Sequence, residues 1–178
     1  FLNLPRPEGL KRALGERRLA FALDPETESM WAARHAARMG LDRALVLAQD
    51  TAWGDRMASQ FIETFQQRGQ VIVDQATYNP ARVDHSDLLE RVLGLDQSNA
   101  RIEAVADILG EPVEAQPQRR QDIEFIFLAA RADDARQIRP QLRFFRAEDL
   151  PIVSTSYAVD GAVDARRDVD LDGVWMPM

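Results

Sequence analysis

Residues 43–80 contain the feature that most constrains the fold of this chain. An apolar strand is followed by a polar loop, an amphipathic helix, a glycine and a second strand. The run from Arg43 to Ala48 is short and apolar, as a buried parallel strand requires. Met57, Phe61 and Phe65 recur every four residues, which predicts one face of a helix. Because a strand–helix–strand unit of this length must cross over, it predicts a parallel pair of strands.

Strand-like runs alternate with helical patterns along the rest of the chain. The predicted strands lie near 19–23, 43–48, 71–75, 123–129 and 151–155. The run at 123–129 is continuous, aromatic and β-branched, so we expect it to be central in the sheet. This alternation predicts an α/β fold: an open, mostly parallel sheet with helices on both faces. In such sheets, ligands and partners meet the loops at the carboxyl ends of the strands.

The sequence makes three further predictions, two about helices and one about the loop between them. Ser98 is predicted to begin a helix that ends at Gly110. Its apolar side is formed by Ile102, Val105, Ile108 and Leu109. Residues 111–121 are polar and contain two prolines, so they predict an exposed, mobile loop. Pro140 lies inside a later helical pattern and predicts a kink or a split near Arg139.

Charge and composition argue against several classes of protein. The 178 residues carry a net charge of −7, and Lys11 is the single lysine. An acidic chain without a basic block is a poor binder of nucleic acid or anionic membranes. The absence of cysteine excludes disulfides and thiolate metal sites, and no apolar run approaches the ~20 residues of a membrane span. Phe1 is not a start residue and no charged n-region precedes an apolar core, so we expect the sequence to be a fragment of a longer precursor.

Three common motifs for phosphate binding and nucleophilic catalysis are absent from the sequence. The sequence contains no GxGxxG, GxxxxGK[ST] or GxSxG pattern, so we predict no cofactor and no enzyme activity. His35 and His85 show no ligand-like spacing and are interpreted as surface or partly packed side chains. Asp50 and Asp55 flank the first loop, and Asp133 and Asp134 follow the central strand. A phospho-acceptor site also gathers aspartates at strand ends, but it requires an acidic pair after the first strand and a lysine after a late strand. Helix capping is therefore the favoured explanation of Asp55 and Asp133.

Polar and aromatic residues at the predicted strand ends form a candidate ligand- or partner-binding site. Residues 49–54 are predicted to be a loop, and Tyr157 is placed in another loop after a later strand. The rings of Trp53 and Tyr157 fit two interpretations. They either stack on a ligand or partner, or they fold over the strand ends as a lid on the core. The candidate residues are Asp50, Thr51, Trp53, Gly54, Arg131, Ser154, Thr155 and Tyr157.

Several segments together resemble a known family. They read ALDPETE, ALVLAQDTAWGDRMASQF, FIFLAARADDARQIRPQLRFF and LPIVSTS. They are similar to the C-terminal domain of the LppC/LpoA family, which comprises outer-membrane lipoproteins that activate class A penicillin-binding proteins. A strand followed by D-x-x-W/Y-G, a helix and a strand also resembles a Rossmann-like lobe of type I periplasmic-binding-protein folds. The resemblance spans nearly the whole chain.

The resemblance implies a non-catalytic regulator of peptidoglycan synthesis. Its partner would be a class A penicillin-binding protein, which is a peptidoglycan synthase. It would act at the periplasmic face of the outer membrane, held by a lipid anchor outside this sequence. Residues 1–178 would form one lobe, with 1–18 and 173–178 as crossover segments to a second. The alternative is a solute-binding lobe of a periplasmic protein, with an amino acid or another small ligand in the inter-lobe cleft.

Overall fold

A computed structural model describes residues 24–159, 168–171 and 173–176. The helices are α1 (Pro25–Arg38), α2 (Ala52–Gln66), α3 (Ser86–Leu93), α4 (Leu95–Leu109) and α5 (Ala132–Phe144). The strands are β1 (Arg43–Gln49), β2 (Val71–Tyr78), β3 (Phe125–Ala129), β4 (Ile152–Ser154) and β5 (Val174–Trp175). Two one-turn 3-10 helices, Ser156–Ala158 and Val169–Leu171, lie between β4 and β5.

The five described strands form one parallel sheet in the order β2–β1–β3–β4–β5. From β1 the chain moves outward to β2 on one side, whereas from β3 it moves outward to β4 and β5 on the other. The strand order therefore reverses between β1 and β3, which is where sheets of this class bind ligands. The predicted parallel α/β sheet is confirmed. The strand predicted near 19–23 lies outside the described residues.

Helices cover both faces of this sheet. On one face α1 and α2 pack against β1 and β3, and Met57, Phe61 and Phe65 of α2 are completely buried. The ring of Phe61 stacks on that of Phe127, with centroids 3.9 Å apart and an angle of 6° between the planes. Helices α3 and α5 supply the buried apolar residues of the other face. Because both faces are covered, all five residues of β3 are buried.

The loop predicted at residues 49–54 is much shorter in the structure. Strand β1 continues through Gln49 and α2 begins at Ala52, so two residues connect them. Thr51 starts the helix early, because its hydroxyl accepts a hydrogen bond from the amide of Gly54 at 3.2 Å. Trp53 and Gly54 therefore lie in the first turn of α2, and the prediction that they lie in a loop is wrong.

Later boundaries also differ from the predictions. Strand β3 begins at Phe125, two residues after the predicted start. Helix α5 runs as one helix through Pro140, so the predicted split does not occur. Its buried residues on either side of the proline, Ile138 and Leu142, hold it on the sheet despite the missing amide. Helix α4 begins directly after a glycine, three residues before the predicted start at Ser98.

Candidate functional site

Three of the predicted site residues meet at the carboxyl ends of the strands. The rings of Trp53 and Tyr157 contact each other, with centroids 5.7 Å apart and planes inclined by 60°. Arg131 follows β3 and places its Cζ 5.1 Å from the centroid of the Trp53 ring. We call these three side chains the Arg–Trp–Tyr cluster. It lies beside the reversal of strand order between β1 and β3.

The Arg–Trp–Tyr cluster combines an exposed cation with two partly buried aromatic rings. A guanidinium over an indole face is an attractive cation–π arrangement. The Trp53 ring also packs against the core between the sheet and α1–α2. Its buried Nε1 has no hydrogen-bond partner among the described residues. The ring therefore covers the strand ends, while the cluster leaves a cation and parts of two aromatic rings accessible to solvent.

Tyr157 lies in a 3-10 helix rather than in the loop predicted from the sequence. Glu28 of α1, which the sequence analysis did not identify, positions this turn. Glu28 is 3% exposed, and its carboxylate accepts hydrogen bonds from the amide and the hydroxyl of Ser156, at 2.7 and 2.8 Å. Burial raises the pKa of Tyr157, and the carboxylates of Glu28 and Asp24 raise it further. The phenol of Tyr157 therefore loses its proton only at a higher pH than an ordinary tyrosine.

Three candidates are enclosed by the structure. A Cβ on Gly54 would lie 1.9 Å from the carbonyl oxygen of Gln49, so glycine lets α2 pack directly against the end of β1. The hydroxyl of Ser154 is buried and donates a 2.6 Å hydrogen bond to the carbonyl oxygen of Leu128. Thr155 is also fully buried, and its Oγ1 has no hydrogen-bond partner among the described residues. All three residues are buried, so their side-chain positions are not exposed at the sheet edge.

Asp50 and Thr51 form the link between β1 and α2. The amide of Asp50 donates a 2.7 Å hydrogen bond to the carbonyl oxygen of Tyr78, while its side chain is exposed. The hydroxyl of Thr51 caps α2 and also donates to Oε1 of Gln49, at 3.1 Å. Asp50 is therefore an exposed candidate at the same sheet edge as Arg131, and Thr51 has a clear role in holding the helix.

A buried polar cluster of Gln49, Tyr78, His85 and Asp134 lies behind this edge. The carboxylate of Asp134 accepts hydrogen bonds from Nε2 of Gln49 at 2.8 Å and from the hydroxyl of Tyr78 at 3.2 Å. The rings of Tyr78 and His85 contact each other, with centroids 5.3 Å apart. Burial raises the pKa of Asp134 and of Tyr78 and lowers that of His85. These buried hydrogen bonds hold β1, β2 and α5 together at the edge that carries the candidate site.

Within residues 24–159, 168–171 and 173–176, no three His, Asp or Glu side chains are grouped as metal ligands would be. No helix in this part of the chain has the length and hydropathy needed to cross a membrane.

Comparison with known proteins identifies the family. A family model described as "LppC putative lipoprotein" matches residues 6–176. The chain belongs to the LppC family. A curated relative, the penicillin-binding protein activator LpoA of Photobacterium profundum, is 32% identical over 120 residues, which cover 67% of this chain and 19% of that protein. LpoA of Vibrio antiquarius is 29% identical over 119 residues, covering 67% of this chain and 20% of that protein.

The chain spans about one fifth of the length of these curated relatives. The match to the family model confirms, at the level of the family, the resemblance seen in the sequence. Both relatives are named as activators of penicillin-binding proteins, which is a regulatory role.

Solved structures confirm the fold class. An ABC-transporter solute-binding protein from R. palustris, in complex with benzoate, superimposes with a TM-score of 0.62 at 15% identity and covers 85% of this chain and 34% of that one. A putative branched-chain amino acid ABC transporter protein from Rhodospirillum rubrum gives 0.58 at 22% identity, covering 85% and 36%. At these identities the likeness shows the fold alone, which is that of a lobe of type I periplasmic binding proteins.

Proposed function

We propose that this chain is one lobe of a non-catalytic regulator that activates a class A penicillin-binding protein by direct contact. The observation that carries the proposal is membership of the LppC family, whose curated relatives are named penicillin-binding protein activators. The family description as a lipoprotein supports anchoring at the periplasmic face of the outer membrane by a lipid outside this sequence. Residues 1–18 and 173–178 would lead to a second lobe.

The Arg–Trp–Tyr cluster is the contact surface that we propose within the candidate site. Tryptophan, tyrosine and arginine are the residue types that most often dominate the binding energy of protein interfaces. The ring of Tyr157 is held in place through Glu28 and Ser156, and that of Trp53 by its position in the first turn of α2. Rigid aromatic anchors lose little conformational entropy on binding, which favours affinity.

The test is the crosslinking activity of a purified class A penicillin-binding protein from the same bacterium. It is assayed on its lipid-linked precursor, with and without the full-length protein that carries this chain. We expect the full-length protein to bind the synthase and to stimulate crosslinking. Trp53→Ala and Tyr157→Ala should each weaken stimulation, whereas Phe144→Ala, an exposed aromatic at the far end of α5, should not. If the unaltered protein neither binds the synthase nor stimulates crosslinking, the proposal is refuted.

A solute-binding lobe is a second candidate, favoured by the position of the Arg–Trp–Tyr cluster beside the reversal of strand order. Arg131 would pair with a carboxylate, and the rings of Trp53 and Tyr157 would stack on an apolar or aromatic part of the ligand. Calorimetry of the full-length protein with amino acids, aromatic carboxylates and muropeptides tests this function. Arg131→Gln should abolish any binding that depends on the cluster. A two-lobe protein that binds none of these compounds would count against this function.

A further inference from the structure

A series of hydrogen bonds joins the first turn of α2 to the first turn of α5. The amide of Gly54 donates to Oγ1 of Thr51 at 3.2 Å, and the hydroxyl of Thr51 donates to Oε1 of Gln49 at 3.1 Å. Nε2 of Gln49 donates in turn to Oδ2 of Asp134 at 2.8 Å. We call these links the Gln49 bridge. Because Gln49 is the last residue of β1, the bridge connects the two helices at the end of an inner strand of the sheet.

The side-chain amide of Gln49 suits this place because it accepts at one end and donates at the other. Its carbonyl oxygen faces the hydroxyl of Thr51, and its NH2 group faces the carboxylate of Asp134. Gln49 and Asp134 are both buried, so water does not readily replace a lost partner. A glutamate at this position would bring two acceptors together, and an apolar residue would leave Asp134 without this donor.

The oxygen of Asp134 that Gln49 contacts is held from a second side. The hydroxyl of Tyr78 in β2 donates to the same Oδ2 at 3.2 Å, and Tyr78 is almost completely buried. If the carboxylate turned away, the buried donors of Gln49 and Tyr78 would both lose this acceptor, which is costly. The first turn of α5 is therefore fixed relative to the ends of β1 and β2.

The two helix starts that the Gln49 bridge joins carry two members of the Arg–Trp–Tyr cluster. Trp53 is the second residue of α2 and follows the capping residue Thr51 by two positions. Arg131 is the N-cap residue of α5, and its carbonyl oxygen accepts a 2.9 Å hydrogen bond from the amide of Ala135. Fixing the two first turns relative to each other also fixes the backbone of Arg131 relative to that of Trp53. The Cζ of Arg131 lies 5.1 Å from the Trp53 ring centroid in this arrangement.

We propose that Gln49 is a positioning residue, which holds Arg131 over the ring of Trp53 through its hydrogen bonds to Thr51 and Asp134. This inference rests on the proposed function, because the Arg–Trp–Tyr cluster that the bridge holds is the proposed contact surface. A contact surface that is already arranged before binding loses less entropy when the partner arrives. Gln49 therefore affects stimulation of the synthase from a buried position, without contacting the partner itself.

The experiment exchanges the hydrogen-bonding roles of Gln49 and Asp134 in the full-length protein. Gln49→Glu sets two carboxylates against each other and should raise the concentration needed for half-maximal stimulation at least about fivefold. Adding Asp134→Asn supplies an amide donor to the new carboxylate and should restore this concentration to within about twofold of the unaltered protein. Asp134→Asn alone keeps an oxygen that accepts from Gln49 and should also stay within about twofold. Gln66→Glu adds the same charge at the exposed end of α2 and serves as the matched control.

Fluorine NMR of protein labelled with fluorotryptophan reports on the contact itself. The signal that is missing in Trp53→Phe belongs to Trp53, and Arg131→Gln shows how loss of the cation moves that signal. We expect Gln49→Glu to move it in the same direction and the added Asp134→Asn to return it. The signals of Trp31 and Trp175 should stay in place, which distinguishes a local change from loss of the fold.

Gln49→Met removes both hydrogen bonds without adding a charge, so it decides the matter if Gln49→Glu does not fold. It should also move the Trp53 signal and weaken stimulation, and Asp134→Asn should not rescue it. A Trp53 signal that is unmoved in Gln49→Met, or stimulation equal to that of the unaltered protein, overturns the positioning role and leaves the proposed function standing. Failure of the unaltered protein to stimulate the synthase overturns the proposed function, whereas the Trp53 signal still decides whether Gln49 holds the cluster.

Discussion

Helices α2 and α4 are both 15 residues long and both carry an apolar row, yet only α2 buries its row. In α2, Phe61 and Phe65 face β1 and β3 and are completely buried. In α4, burial is confined to the first turns, and Val105 and Leu109 face water. Helical periodicity identifies a face of a helix, but what covers that face depends on where the rest of the chain, or another molecule, lies.

The contrast between these two regions extends to glycines and carboxylates. Gly54 at the start of α2 is enclosed, whereas Gly110 at the end of α4 has open space around it. Asp134, beside the sheet edge, is 8% exposed and hydrogen-bonded, whereas Asp107 of α4 is exposed. These groups are therefore enclosed where the helices pack on the sheet, whereas the corresponding groups at the end of α4 are exposed. Matched substitutions in the two regions test this distinction.

The largest expected difference is between two apolar truncations. Phe61→Ala removes a ring that stacks on Phe127 and leaves a cavity, so we expect a loss of about 3–5 kcal/mol in the free energy of unfolding. Leu109→Ala removes an exposed side chain and should change it by no more than about 0.5 kcal/mol. Urea denaturation of the 178-residue chain measures both values. A comparable loss in the two variants would mean that Leu109 at the end of α4 is covered within this chain.

Glycine substitutions should give the next largest difference. Gly54→Ala places a methyl group against the backbone of β1, and forcing the helix away should cost about 3 kcal/mol. Gly110→Ala meets no atom within 4 Å, and its cost of about 1 kcal/mol arises from the left-handed backbone at φ +71°.

Asparagine distinguishes the two causes. Gly110→Asn should recover part of the stability, because asparagine tolerates the left-handed region. Gly54→Asn should be at least as destabilising as Gly54→Ala, since the obstacle there is space. Equal recovery at both positions in urea denaturation would show that the close contact at Gly54 is not what limits stability.

The predictable parts of the fold are those governed by local sequence. The face of α2 follows from the spacing of Met57, Phe61 and Phe65. The central place of β3 follows from its unbroken apolar composition, which only a strand covered on both faces requires. The sequence places the start of α2 too late. The hydroxyl of Thr51 accepts a hydrogen bond from the amide three residues later, at Gly54. Because residues 49–54 are mostly polar, the sequence pattern alone does not distinguish this helix cap from a loop.

The candidate site is only partly predictable, because its contacts join distant residues. The sequence places Trp53, Arg131 and Tyr157 at strand ends, but their mutual contact depends on the strand order β1–β3–β4. The carboxylate of Glu28 accepts a hydrogen bond from Ser156, which is 128 positions away. Glu28 is one of two glutamates in the first turn of α1, and nothing in the sequence indicates this distant partner. Likewise, nothing in the adjacent pair Asp133 and Asp134 tells which carboxylate turns inward.

The smallest expected difference is in how the free energy of unfolding depends on pH, through the buried carboxylate of Asp134. Burial raises the pKa of Asp134 above its ordinary value of 3.8, so the folded state holds this proton more tightly than the unfolded state. Stability from this group is therefore present at low pH and falls as pH rises from 3.8 through the raised pKa. Asp134→Asn removes this fall, so the free energy of unfolding of the variant minus that of the unaltered chain should increase with pH.

His85 and Tyr78 face the same carboxylate and must be considered in this measurement. The charge of Asp134 raises the pKa of His85, against the lowering by burial. Removing the Asp134 charge lowers the pKa of His85 further and makes the variant less stable in acid. The free energy of unfolding of the variant minus that of the unaltered chain therefore again increases with pH. Tyr78 stays protonated throughout, since burial and Asp134 raise its pKa. Urea denaturation at a series of pH values gives the slope, with Asp107→Asn on the exposed side of α4 as control. A flat difference for Asp134→Asn, or an equal slope in the control, would show that the two regions treat a carboxylate alike.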